Sequence, residues 1–167
     1  SERDRLWDKR LLAAVEKLPS AIRVEQLAGL PTVAVLNSVS ALSRETIVFT
    51  PGYFVDGAGT VTTPRKSVEG IAAASAVPVY GAFDTFIGTG IVGGYMTPYE
   101  AQAREAGAIV VRLLNGAAAS DLTPASVNRV PMVDWRQLRR WRVDERLLPA
   151  GTVVAHREPA AWERYRV

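Results

Sequence analysis

The feature that most constrains the fold is one succession near the middle of the chain. A short apolar run, Thr46-Ile47-Val48-Phe49-Thr50, ends at Pro51-Gly52. A cap-plus-proline signal, Thr63-Pro64, then opens a helix bearing Val68, Ile71 and Ala72, and a second apolar run follows at Val77–Phe83. Strand, helix and strand in that order predict an α/β domain built on a parallel sheet, because the helix supplies the crossover that parallel strands need.

Flanking segments extend the pattern. Leu6, Trp7, Leu11, Val15 and Leu18 recur at helical spacing after Ser1 and Asp4, which resemble a capping box, until Pro19 stops the run. Ile22, Val24 and Leu27 predict a strand, and Val33–Leu42 a short helix. The best helix is expected after Thr97-Pro98-Tyr99-Glu100, again a capping box with proline at the first helical position. It is expected to bury Ala106, Ile109, Val110, Leu113 and Leu114 and to end at Asn115-Gly116. Asn128–Val133 predicts a strand, Asp134 with Gln137 caps a short helix through Trp141, and Thr152–Ala155 adds a small edge strand. A doubly wound domain normally begins with its strand, so a chain that opens with a helix is expected to start in mid-unit, as a fragment of a longer protein.

Several function classes lose their chemistry at once. There is no cysteine among the 167 residues, so thiolate metal sites, thiol nucleophiles and redox pairs are excluded. His156 is the only histidine and has no candidate nucleophile beside it, which disfavours a histidine-dependent triad and marks it as a surface residue. The 20 Lys and Arg against 17 Asp and Glu give a net charge of only +3. The late cluster Arg136, Arg139, Arg140, Arg142 and Arg146 is diluted by Asp134, Asp144 and Glu145, so it reads as a solvated helix face and no nucleic acid partner is expected. No apolar run approaches the ~20 residues that span a bilayer, and any targeting segment is expected outside this stretch.

Gly88, Gly90 and Gly93 satisfy the letters G-x-G-x-x-G, but the acidic residue that should follow about 20 positions later falls inside the long helix instead. A glycine-rich crossover is the better reading, and no cofactor is expected. Among the carboxylates near predicted strand ends, Asp56 is explained by its Asp-Gly turn and Glu100 by the capping box. Asp84 is left without a local structural task, which makes it the leading functional residue. Tyr53, Phe54, Tyr80, Phe83, Phe86 and Tyr95 gather on or just after strand ends, where open α/β sheets bind ligands. An aromatic wall with one or two polar anchors describes a small-molecule pocket. Tyr80 and Phe83 are equally well explained as core strand residues.

The run Val77-Pro78-Val79-Tyr80-Gly81-Ala82-Phe83-Asp84-Thr85, with Gly88-Thr89-Gly90-Ile91-Val92-Gly93-Gly94-Tyr95 after it, resembles the periplasmic-binding-protein-like sensor domains of bacterial two-component histidine kinases. These are similar to the substrate-binding proteins of ABC transporters. Asn128–Trp141 and Arg157–Tyr165 look like that family's ending, and the resemblance covers nearly the whole chain. It implies a three-layer parallel-sheet lobe of a type I periplasmic-binding-protein-like fold, with residues 1–127 forming mostly the second ligand-binding lobe. Residues 128–167 would be a return segment and a tail leading towards a membrane helix. It further implies an extracytoplasmic, periplasmic domain of a membrane-anchored parent, completed by an N-terminal lobe of the same chain. The fragment itself would be no enzyme but would sense a small molecule by ligand-linked lobe closure. The ligand-binding residues carried over are Tyr53, Phe54, Asp84, Thr85 and Tyr95, with no metal. Three rivals remain open: a soluble ABC-transporter-associated binding protein, a flavodoxin-like or receiver-like enzyme using Asp56 or Asp84, and a structural module that forms a homodimer.

Overall fold

The computed structural model describes residues 2–122 and 128–158, without side-chain detail for residues 2–8. It is an α/β structure in which five strands run in the order β1-β2-β3-β4-β5, in a mostly parallel sheet flanked by helices. The chain forms two compact units. Of the described residues, those up to Tyr80, with Thr89–Ile91, make one; Gly81–Gly88 and the described residues from Val92 onward make the other.

In the first unit, helix α1 (Glu2–Val15) precedes α2 (Thr32–Ser40), strand β1 (Val48–Thr50), α3 (Pro64–Ala74) and strand β2 (Val79–Gly81), whose last residue already belongs to the second unit. The Thr63-Pro64 signal works as expected: the Thr63 hydroxyl accepts the Lys66 amide at 3.3 Å, and Pro64 occupies a position whose N–H would have no helical partner. Helix α3 turns Val68, Ile71 and Ala72 inward against α2, which buries Val35 and Val39. Val39 and Val68 are fully enclosed, each stabilising the unit by roughly 1.5–3 kcal/mol through burial. The Val48 amide bonds the Pro78 carbonyl at 3.0 Å, tying the start of β1 to the approach of β2.

The strand expected over Ile22–Leu27 does not form. Ile22 is engaged in a turn with the Pro19 carbonyl, and Ile22 and Val24 are about half exposed. Alternating β-branched residues make a strand only where a neighbour completes the ladder.

In the second unit, β3 (Gly93–Met96) pairs antiparallel with β4 (Val130–Asp134), and β4 pairs parallel with β5 (Val153–Ala155). Helix α4 (Tyr99–Leu114) follows β3, and α5 (Trp135–Trp141) follows β4 directly. Gly93 is required where it stands. It has φ +152, and a Cβ there would run into the Met132 carbonyl oxygen and Val133 across the β3–β4 pair. The third glycine of the G-x-G-x-x-G letters therefore serves close strand pairing, in a strand and not at a helix N-terminus.

Two expectations about α4 are corrected. Thr97 does not cap it, because Thr97 is still paired as a strand residue: its amide bonds the Ala82 carbonyl at 3.0 Å beside a parallel bridge between Phe83 and Thr97. The helix starts only after Pro98, and Glu100 pairs along the surface with Arg104 at 2.8 Å. The helix also buries none of its residues: Val110 is 52% exposed and Leu114 81%. Helical periodicity identifies an apolar face but not what covers it. The Asn115-Gly116 stop is as expected, with Gly116 at φ +90 donating to the Leu113 carbonyl at 3.0 Å.

Candidate functional site

Asp84 begins a single 3-10 turn, Asp84–Phe86, just after the stretch that bridges to Thr97. That placement delivers its carboxylate to the start of α4, where Oδ2 accepts the Tyr99 amide at 2.9 Å. The carboxylate meets one of the unsatisfied donors at the helix start and lies at the favourable end of the helix dipole. Asp84 thus has a structural task, reached across 15 residues of sequence. Its other oxygen, Oδ1, is buried and accepts no hydrogen bond. Phe83 packs edge-on against Phe86, with ring centres 5.4 Å apart, and at a tilt against Tyr99 at 5.5 Å. Thr85 is exposed, and Tyr95, on β3, is 60% exposed. The second unit therefore encloses a carboxylate with one uncommitted oxygen, beside an aromatic cluster.

Tyr53 and Phe54 belong to the first unit. The Tyr53 hydroxyl shares a 2.9 Å hydrogen bond with Thr32 Oγ1, and its amide bonds Ser67 Oγ at 3.1 Å, so much of its polar capacity is used in the fold. Phe54 is exposed at the start of the loop, where its carbonyl accepts the Thr62 amide. Asp56 organises that loop. It accepts the Thr32 amide and hydroxyl at 2.9 and 2.8 Å, and the Ala58 and Thr60 amides at 2.9 and 2.8 Å. The Thr32 amide above all, then its hydroxyl and the Thr60 amide, hold the Asp56 carboxyl far below the ordinary aspartate range. The turn role expected for Asp56 is what the geometry gives.

A third cluster, in the second unit, was visible in the sequence only as separate pieces. Asp134 is fully buried and caps α5 by accepting the Arg136 amide at 3.0 Å, whereas the Gln137 half of the expected cap does not form: the Asp134 amide bonds the Val92 carbonyl and Gln137 Oε1 is buried without a hydrogen bond. The same carboxylate is gripped by the Arg136 guanidinium, Nε to Oδ1 at 3.0 Å and Nη2 to Oδ2 at 2.7 Å. His156, in a left-handed conformation at φ +55, places Nε2 at 4.0 Å from Oδ2. Gly88, at φ +88, closes on this group: a Cβ there would stand 3.2 Å from His156 Nε2. Burial pushes the Asp134 carboxyl up, but the Arg136 hydrogen bonds and charge, with His156 behind them, outweigh it and leave the group below its ordinary value. The spacing Asp134-x-Arg136 was the available signal, since a helix-capping aspartate lies within reach of an arginine two residues on. The other late arginines are surface groups. Arg146 pairs with Asp144 at 2.7 Å, while Arg139 and Arg140 lie over Trp135 and Trp141.

Among the described residues no three His, Asp or Glu side chains converge as metal ligands would, and no helix is long and apolar enough to cross a membrane. The expected tail contribution from Trp162 and Tyr165 lies outside the described residues. Comparison of the chain with protein-family models, with curated proteins and with solved structures finds no match.

Proposed function

We propose that this chain is the small-ligand-sensing α/β part of an extracytoplasmic receptor. In this reading it belongs to the periplasmic-binding-protein-like type that its sequence resembles, in a two-component histidine kinase. The observation that carries the reading is Asp84 Oδ1. A buried carboxylate oxygen without a donor is costly, and a ligand N–H or O–H brought to it removes that cost. The neighbouring Phe83 and Tyr99 rings supply the apolar surface that a small molecule needs beside such an anchor. Occupancy would favour one state of a pre-existing equilibrium between lobe arrangements and pass that preference to the output domain.

Because Asp84 also caps α4, the test uses two substitutions. Asp84→Asn keeps a carbonyl oxygen for the Tyr99 amide but places an N–H2 group where Oδ1 now stands. Asp84→Ala removes both functions. The complete extracytoplasmic region of the parent protein is screened by thermal shift against amino acids, amines, aromatic acids and short peptides. A compound that raises the melting temperature of the wild type but not of Asp84→Asn, at unchanged basal stability, supports the reading. A screen with no binder, or a binder indifferent to Asp84→Asn, removes Asp84 as the anchor.

A further inference from the structure

Helix α5 closes on an arginine where glycine is the usual residue. Arg142 follows Trp141 with φ 56 and ψ 38, the left-handed conformation. Its amide bonds the Arg139 carbonyl at 3.3 Å, and the Val143 amide bonds the Leu138 carbonyl at 2.9 Å. This paired closure ordinarily places glycine at the left-handed position. A side chain there strains the backbone, and strained residues gather where a site requires them. The helix dipole supplies no such requirement, because Arg139 and Arg140 already put cations in the last turn.

The same turn lines a cavity of about 390 Å³ that opens to solvent, formed by Leu138, Arg139, Arg142, Val143 and Asp144. That volume is within the range of small-molecule pockets. Leu138 is buried and Val143 half-buried, so the cavity offers apolar surface beside two guanidinium groups. The nearby acids are already engaged: Asp134 holds Arg136, Asp144 holds Arg146 and Glu145 holds Arg157, at 2.7, 2.7 and 2.5 Å. Arg139 and Arg142 are the cations left over. Arg139 is also held in place, its guanidinium carbon 5.7 Å from the centre of the Trp135 ring, while Trp135 Nε1 is anchored on Glu145 Oε1 at 3.0 Å. A guanidinium stacked on a ring keeps its in-plane N–H groups for a planar acceptor.

We propose that this cavity binds a small organic carboxylate, its charged group shared by Arg139 and Arg142 and its apolar body against Leu138 and Val143. The two planar guanidinium groups suit a planar carboxylate. An inorganic anion would meet the charges but leave the apolar lining uncovered, and Asp144 and Glu145 repel an extended polyanion. The inference is independent of the Asp84 reading, since the two sites share no residue.

The test titrates the whole 167-residue chain with benzoate, inorganic phosphate and benzyl alcohol at constant ionic strength, following backbone amide shifts by NMR. Benzoate should bind with a dissociation constant on the order of 1 mM, centred on the Leu138 and Val143 amides, and more tightly than either phosphate or benzyl alcohol. Arg139→Gln and Arg142→Gly should each weaken it about tenfold, the loss of one charge-assisted hydrogen bond. Arg140→Gln removes the same charge from the same helix but not from the cavity, and should leave binding unchanged. Arg142→Gly should also raise the melting temperature by a few degrees, because glycine relieves the left-handed strain; its loss of binding is then no consequence of misfolding. The proposal is overturned by benzoate that does not bind or binds no better than phosphate, and by equal losses in Arg140→Gln and Arg142→Gly. An Arg142→Gly chain less stable than the wild type would also overturn it, by showing that the arginine serves the fold.

Discussion

The Asp134 cluster allows a stability effect to be worked from its geometry. Asp134→Ala removes two things from a fully buried position: the cap on the Arg136 amide, and the fork that holds the guanidinium. Loss of an N-cap costs about 1 kcal/mol. The fork is worth less than a fully buried ion pair, because the Arg136 side chain is 47% exposed and its charge stays hydrated once released. About 1 kcal/mol is a suitable figure for it. The expected penalty is thus about 2 kcal/mol, or a fall in melting temperature of about 4–8 °C for a chain of this length. Asp134→Asn keeps the cap and the volume and should cost about half as much. Urea unfolding followed by tryptophan fluorescence reads both, since Trp135 and Trp141 bracket α5.

The same carboxyl gives a pH test with a definite sign. It titrates below its ordinary value in the folded chain, so its contribution is fully present above the ordinary aspartate value of about 3.9 and fades as pH falls through the folded value. The difference between wild type and Asp134→Asn should therefore be constant near neutrality and shrink on acidification. Variants within about 0.5 kcal/mol of wild type at pH 7, or a penalty that does not change as the carboxyl protonates, would refute the assignment.

Two further outcomes follow from backbone geometry. Gly93→Ala should destabilise the second unit by at least about 2 kcal/mol in the same urea assay, since its Cβ meets the Met132 carbonyl and its φ is one that side chains resist; a near-neutral result would mean that β3 and β4 are not this closely paired. Asp56→Ala should release the Thr32, Ala58 and Thr60 amides together, seen as faster hydrogen exchange at those three positions with little change at the buried centre of α3. Unchanged protection would show that the loop holds its shape without the carboxylate.

What the sequence disclosed and what it hid divide along a physical line. Features written in a few adjacent residues were legible: the Thr63-Pro64 cap, the Gly116 stop, the Asp134 cap of α5 and the Asp56 turn. Features that depend on a distant partner were not. Ile22 and Val24 alternate as a strand would but have no ladder to join, and the apolar residues of α4 have no described covering layer. His156 read as an isolated surface residue because its neighbours, Asp134 and Gly88, lie 22 and 68 positions away.

Asp84 shows how this limit bears on function. In the sequence it stood out because Asp56 and Glu100 had local explanations and it had none. The structure reverses part of that reasoning. Glu100 makes no capping box, and the start of α4 is held instead by Asp84, which the strand bridge at Thr97 brings into range. A carboxylate with a structural partner is a weaker functional candidate than one with none, and half of the case for Asp84 goes with Oδ2. The other half remains with Oδ1, which the same geometry buries without a donor. An alanine at this position would therefore disturb the helix whether or not a ligand exists, and its phenotype would not distinguish a sensor from a scaffold. Asparagine separates the two oxygens chemically, leaving the cap intact and inverting the hydrogen-bonding character of the uncommitted site. For that reason the functional reading stands or falls on Asp84→Asn.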